Sequence, residues 1–341
     1  MEQKFFVGWS KTPDLRAFLA WRLARVVGIW WQTLPSVQFD AESVELLEQK
    51  FLALRRMKGD RPTVYWSAIA LQLIHRVQPA QGSPFRSEQL PQIAQELATT
   101  WNQANLTKHL EELEQLNKFW QHCVAEAMPN GMIALRVSDA GLAWWLQFLG
   151  EGDGAWDDRL PLPALELPFL KGRSLNLKQG ELTASQPQLN AKALFEAQAA
   201  HARCCSILRL ADQEGLVRLL ESASETGLDR WVIVYPDPIP WMQDEQTLRL
   251  THPAERRLIA QLLTTFETLC PQSPSLLQIL RSADEIAQSF QQFYAACRIF
   301  SEVKTQLPEL AQARLGLVGI TRLVLYRLLS DGLNAIAPPE L

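Results

Sequence analysis

The chain has 341 residues, 47% of them apolar and 21% charged, a balance that buries a full core and excludes a largely disordered, collagen-like or disulfide-dense chain. Lys plus Arg number 33 against 37 Asp plus Glu, for a net charge of −4. The isoelectric point is near 5.8, whereas proteins held on nucleic acid by bulk charge sit above about 9, so any such contact must come from a local patch.

Residues 14–32 place Leu15, Phe18, Leu19 and Leu23 at helical spacing, with Asp14 after Pro13 as a cap. Helices are predicted next over 41–57 and 63–78. Another starts near Pro91, and one more covers 106–127, with Leu110, Leu113, Leu116 and Phe119–Trp120 as its stripe. Pro129-Asn130-Gly131 breaks the pattern. Residues 133–137 alternate as a strand, and Ser138-Asp139 caps a helix running to Leu149. From 150 to 188 glycine and proline are dense, which marks a connector with room for one short strand over 160–170. Beyond Asn190 the helices predicted are 190–212, 214–224, 252–270, 273–300, 304–312 and 313–332. Residues 231–240 are the exception, an extended segment closed by Pro236, Pro238 and Pro240.

The five cysteines are Cys123, Cys204, Cys205, Cys270 and Cys297, an odd count without a Cys-x-x-Cys, which reads as reduced thiols in a cytoplasmic protein. No secretory leader is recognised. No stretch of about 18 uncharged apolar residues predicts a membrane span. Most of the 12 tryptophans fall in the first half. They either fill a core or form an exposed aromatic surface for a protein partner or stacked bases.

No Gly-x-Gly-x-x-Gly, Walker loop, Gly-x-Ser-x-Gly or His-Glu-x-x-His occurs, and Asp157-Asp158 sits in the connector as a solvated pair. His201, Cys204 and Cys205 share a helix face. They are read either as a partial metal site lacking a fourth ligand or as a packed helix with buried thiols, and no metal or cofactor is assigned.

The segment Ala200-His201-Ala202-Arg203-Cys204-Cys205-Ser206-Ile207-Leu208-Arg209 resembles the start of the anticodon-binding domain of bacterial arginyl-tRNA synthetases. His252-Pro253-Ala254-Glu255, Phe290-Gln291-Gln292-Phe293-Tyr294-Ala295-Ala296-Cys297 and Ala313-Arg314-Leu315-Gly316 resemble later motifs of the same DALR-type domain. Gly332-Leu333-Asn334 and Ala337-Pro338-Pro339-Glu340-Leu341 resemble its ending, with the family's final Arg-Met replaced. More weakly, Ala70–Leu73, Pro91–Leu97 and Gly131–Asp139 are similar to the synthetase's N-terminal domain, which contacts the tRNA D-arm. There Met132 and Ala134 stand where the family has a Phe and an Asn.

In such synthetases a catalytic domain of several hundred residues separates these parts. Here the connector is short, and neither His-x-Gly-His nor Lys-Met-Ser-Lys occurs. The resemblance therefore implies an α+β N-terminal domain over 1–150, a connector over 151–188 and an all-α bundle over 189–341, mostly helical overall. It implies a non-catalytic relative that binds tRNA or another structured RNA, with no enzyme activity. The residues expected to carry the contact are Phe293, Tyr294, Arg298, Arg314, Arg322 and Asn334, aromatic rings stacking an unstacked base and arginines meeting phosphate. Phe293 and Tyr294 are equally readable as core. The rival expectation is a protein-interaction module, suggested by the acidic C-terminal domain and the Trp-rich first half.

Overall fold

A computed structural model of the chain describes residues 14–33, 54–57, 63–76, 87–103, 118–150, 187–222, 230–269 and 274–340. The fold is α+β and mainly helical. Contacts divide it into two compact units, Leu15–Leu142 and one built on Ala143–Leu341.

In the first unit, α1 (Leu15–Gln32) forms where the periodicity predicts a helix. Two stretches inside the predicted helices 41–57 and 63–78 are instead strands. Arg55–Arg56 is β1 and Thr63–Ser67 is β2. Thr63, Val64, Tyr65 and Trp66 are β-branched or aromatic, and with Ser67 they pair with a partner strand through five successive positions. Pairing overrides an apolar spacing that a short segment shares with a helix. The later part of the 63–78 prediction is helix, α2 (Ile69–Arg76), and α3 (Leu90–Gln103) forms near Pro91 as expected. The remainder of the 41–57 prediction and most of the 106–127 prediction lie outside the described residues. Within the latter, Cys123–Ala127 is β3, not helix, and pairs antiparallel with β4 (Ile133–Val137).

The turn between β3 and β4 explains that pairing. Met128 N–H donates to the Met132 carbonyl at 2.8 Å, and Gly131 has φ +77°. An added Cβ at Gly131 would meet Leu90 Cγ at 2.2 Å, so both backbone and space demand glycine there. The sheet order is β1-β2-β4-β3. Trp101 Nε1 donates to the Cys123 carbonyl at 3.0 Å, and Asn102 bonds both the N–H and the carbonyl of Ala125, which anchors α3 to β3. Ser138 Oγ accepts from Gly141 N–H at 3.2 Å, the expected cap of α4 (Asp139–Gly150).

Most of the described tryptophans are core. In the second unit Trp145 and Trp241 are buried and Trp144 is half-buried, and in the first unit Trp30, Trp31, Trp101 and Trp120 are buried while Trp21 and Trp66 are half-buried. Trp9 and Trp156 lie outside the described residues. Arg22 is buried among these rings, its guanidinium 4.9 Å from the Trp101 ring centroid and 5.0 Å from that of Trp120. Its Nη2 donates to the Trp101 carbonyl at 2.9 Å. Burial draws Arg22 down to about 10, while the aromatic faces supply the attraction that water would have given.

In the second unit, α5 (Pro187–Gln213) packs against α7 (Leu276–Ala296) and α9 (Pro308–Arg327), and α7 packs on α6 (Pro253–Leu269). The predicted helix 214–224 is replaced by β5 (Arg218–Ser222), which pairs with β6 (Arg230–Tyr235) after Gly215 turns the chain at φ +69°. The β6 part of the extended segment is as expected. The last two predicted helices redistribute. The short α8 (Glu302–Gln306) ends at Leu307, Pro308 opens α9, and a π turn spans Leu328–Gly332. Gln147 Oε1 on the second half of α4 accepts from Ile239 N–H at 3.2 Å and Trp241 Nε1 at 2.9 Å. Gly316 on α9 leaves room for the Trp241 ring, which an added Cβ would meet at 2.6 Å.

Candidate nucleic-acid interface

The helix α7 starts from a capping box in which Ser275 and Gln278 satisfy each other's backbone N–H. Its buried stripe runs Ile279, Ala283, Ile286, Ala287, Phe290, Phe293. Phe293 ends that stripe fully buried, its ring 6.2 Å from Phe290. It therefore presents no ring face to a base.

Tyr294 follows about 100° around the helix and is 39% exposed. Its ring stacks on Phe290 at 6.2 Å and 20°. The exposed Arg203 of α5 places its guanidinium carbon 5.6 Å from the Tyr294 ring centroid. Arg298, just past the end of α7, is also exposed. Tyr294, Arg203 and Arg298 thus offer an aromatic ring and two cations at the surface. Beside them the side chains are polar and paired. Gln291 donates to Glu196 at 2.8 Å, and Arg257 donates to Gln292 at 2.6 Å.

Arg314 stands elsewhere. Its Nε donates to Glu255 Oε1 at 2.6 Å, and its Nη1 donates to the Arg298 carbonyl at 2.5 Å. Glu255, 1% exposed, accepts the His252 N–H on its other oxygen at 2.8 Å. One buried ion pair therefore ties the start of α6, the end of α7 and the body of α9 together. Cys297 sits beside it and is raised to about 11 by burial and by Glu255. Arg322 is likewise buried, and it bonds Cys205 of α5. Asn334 is exposed in the left-handed region at φ 48°. It opens a segment that runs along α5.

Of the six residues expected to meet RNA, the structure brings Tyr294 and Arg298 to the surface on α7 and just past its end. Phe293, Arg314 and Arg322 are interior, and Asn334 is exposed at the start of another segment. Arg203 was left out of that set. The sequence signal for it is the run from Ala197 to Leu208, where Arg203 and Ser206 are exposed polar positions three apart among buried Ala, Cys, Ile and Leu.

His201 and Cys205 approach within 3.9 Å. Burial holds both Cys204 and Cys205 in the thiol form by raising them. No group of three or more metal-ligating side chains occurs among the described residues. No helix among them is long and apolar enough to cross a membrane.

Residues 197–330 match the family described as DALR anticodon binding domain, so the C-terminal half carries such a domain. The chain is 34% identical over 143 residues to the arginine–tRNA ligase of Synechococcus sp. (strain JA-3-3Ab), covering 41% of this chain and 21% of that protein. It is 31% identical over 170 residues to the arginine–tRNA ligase of Ruminiclostridium cellulolyticum, covering 47% and 24%. It is 32% identical over 178 residues to that of Gloeobacter violaceus, covering 50% and 26%. The chain thus spans about a fifth to a quarter of the length of these curated relatives. No solved structure matches.

Proposed function

We propose that this chain is a non-catalytic relative of the arginine–tRNA ligases that binds tRNA or a tRNA-like RNA through its DALR domain. The observation that carries the reading is the exposed Tyr294 ring beneath Arg203, inside the segment that matches an anticodon-binding family. An unstacked base takes up an aromatic face of this kind, and an adjacent guanidinium meets phosphate or the base plane. Tyr294, Arg203 and Arg298 form the contact set. Phe293 and Arg314 build the scaffold beneath it.

The non-catalytic part rests on the amino-acid sequence. Adenylation needs preorganised cations and donors around ATP phosphates, and neither His-x-Gly-His nor Lys-Met-Ser-Lys is present in these 341 residues. The division into an N-terminal domain over 1–150, a connector over 151–188 and a C-terminal domain over 189–341 belongs to the same proposal.

The test is tRNA binding by the full chain at low salt, beside its Tyr294→Ala variant, with melting measured on both. Binding that the variant loses while melting as the parent does supports the reading. Absence of binding by the parent overturns it in favour of a protein-interaction module. Arginine-dependent ATP–pyrophosphate exchange by the purified chain overturns the non-catalytic part.

A further inference from the structure

On a face of α5 turned away from Arg203, four residues fall on one stripe, Gln198, His201, Cys205 and Arg209, spaced three, four and four apart. They span about 16 Å at 1.5 Å rise per residue. The segment Ala335–Glu340 lies along that stripe. Gln198 Nε2 donates to the Ile336 carbonyl at 2.8 Å, and His201 Nδ1 meets the Pro338 carbonyl at 2.8 Å, so the imidazole is the donor. Arg209 Nη1 donates to Glu340 Oε1 at 2.5 Å. Every group the segment presents to α5 in these three contacts is an acceptor, and the last is an anion.

Beneath the segment lies positive charge. Arg322 reaches from α9 to bond Cys205, and its charge acts on His201 as well. The charge of Arg209 acts on Cys205 as well. His201 is only 1% exposed and Arg322 only 5%. Burial, together with the Arg322 charge, draws His201 down to about 4.

The segment itself is held lightly. Ile336 is 78% exposed, the Glu340 side chain is 73% exposed, and the other two contacts go to backbone carbonyls. An exposed ion pair of this kind contributes little, and a segment with few buried apolar contacts opens at low cost.

We propose that Ala335–Glu340 is a detachable strap over an oxyanion site formed by Arg209, Arg322 and His201, and that a phosphate of bound RNA displaces the Glu340 carboxylate there. The choice of RNA as the source of the phosphate rests on the tRNA reading above. The site itself does not. The strap would then hold RNA affinity below what the open face allows.

The experiment compares the full chain with Glu340→Gln, with deletion of residues 335–341, and with each of these combined with Arg209→Gln. Two readouts are taken, thermal melting with added inorganic pyrophosphate and tRNA affinity across salt. Opening the strap is expected to give pyrophosphate-dependent stabilisation that the parent lacks. It should also tighten tRNA binding about threefold or more and steepen the salt slope by about 0.7, one phosphate contact, and Arg209→Gln should abolish both gains. Pyrophosphate stabilisation without any tRNA binding keeps the site and overturns RNA as its ligand. Unchanged pyrophosphate response and unchanged tRNA affinity in both opened variants overturn the strap while leaving the tRNA reading intact. Gains that survive Arg209→Gln overturn the assigned site. If the deletion melts below the assay temperature, Glu340→Gln decides alone by the same criteria.

Discussion

Phe293 and Tyr294 are adjacent in the chain, yet one is fully buried and the other 39% exposed. The arginines divide in the same way. Arg314 is locked to Glu255 at 2.6 Å, whereas Arg203 lies exposed over the Tyr294 ring. The inner member of each pair holds α6, α7 and α9 in place. The outer member lies at the surface, open to solvent. Residue type alone does not separate buried scaffold from exposed surface in this domain, because the proposed base-stacking patch and the bundle core draw on the same aromatic and arginine side chains.

The inner set should give the largest effects, all on stability. Arg314→Met leaves Glu255 buried without its partner, and breaking a buried pair from one side costs about 3–5 kcal/mol. Phe293→Ala removes a fully buried ring at about 3–5 kcal/mol. Denaturant unfolding should show both losses, while tRNA affinity per folded molecule at low temperature stays close to the parent's. An Arg314→Met variant that keeps its stability but loses tRNA binding would break the comparison.

A second effect comes from His201, whose folded value is lowered from the usual 6.5 to about 4. Between those values the unfolded chain binds a proton that the folded chain refuses. The stability is therefore fully present above about pH 6.5 and falls as the pH drops towards 4, by up to about 3 kcal/mol. The groups around the ring are Cys205, Tyr326 and Arg322. His201→Gln can still donate to the Pro338 carbonyl and should flatten the pH profile of unfolding over that range. A profile as steep as the parent's would assign the pH dependence to other groups.

How much of this was legible in the sequence depends on what set each feature. The strand 133–137 was readable because alternation and Pro-Asn-Gly are both local signals. Its partners Cys123–Ala127 and Thr63–Ser67 were not, because their strand character comes from pairing across the sheet. The stripe of α7 could continue from Phe290 to either Phe293 or Tyr294, three or four residues on. Only the packing of α7 in the bundle decides between them. Arg314 carried a signal that went unused. It lies among Ala313, Leu315, Leu317 and Val318, the one charged residue between Leu310 and Ile320, and a stretch of helix that is apolar nearly all round is interior. The long-range contacts of Ala335–Glu340 with α5 join positions more than 130 residues apart and leave no local trace.

The outer set should act on binding instead. Tyr294→Ala is expected to weaken tRNA binding by about 1–3 kcal/mol if the ring stacks one base, with a small loss in melting because the side chain is part exposed. Tyr294→Phe should keep most of that affinity, since the stacking face remains.

The smallest expected effect separates the two roles open to Arg203. A guanidinium over an exposed ring contributes about 0.5–1 kcal/mol, and a phosphate contact from the same group adds to the salt slope by about 0.7 on a single strand. Arg203→Lys retains the charge but loses the planar group that lies on Tyr294, while Arg203→Gln loses both. If Arg203 serves phosphate, Arg203→Lys keeps the parent's salt slope and Arg203→Gln lowers it. If Arg203 acts only by holding the Tyr294 ring, both variants weaken binding alike and the slope does not change. A drop in melting for either variant, with no change in affinity, would move Arg203 to the inner set beside Arg314.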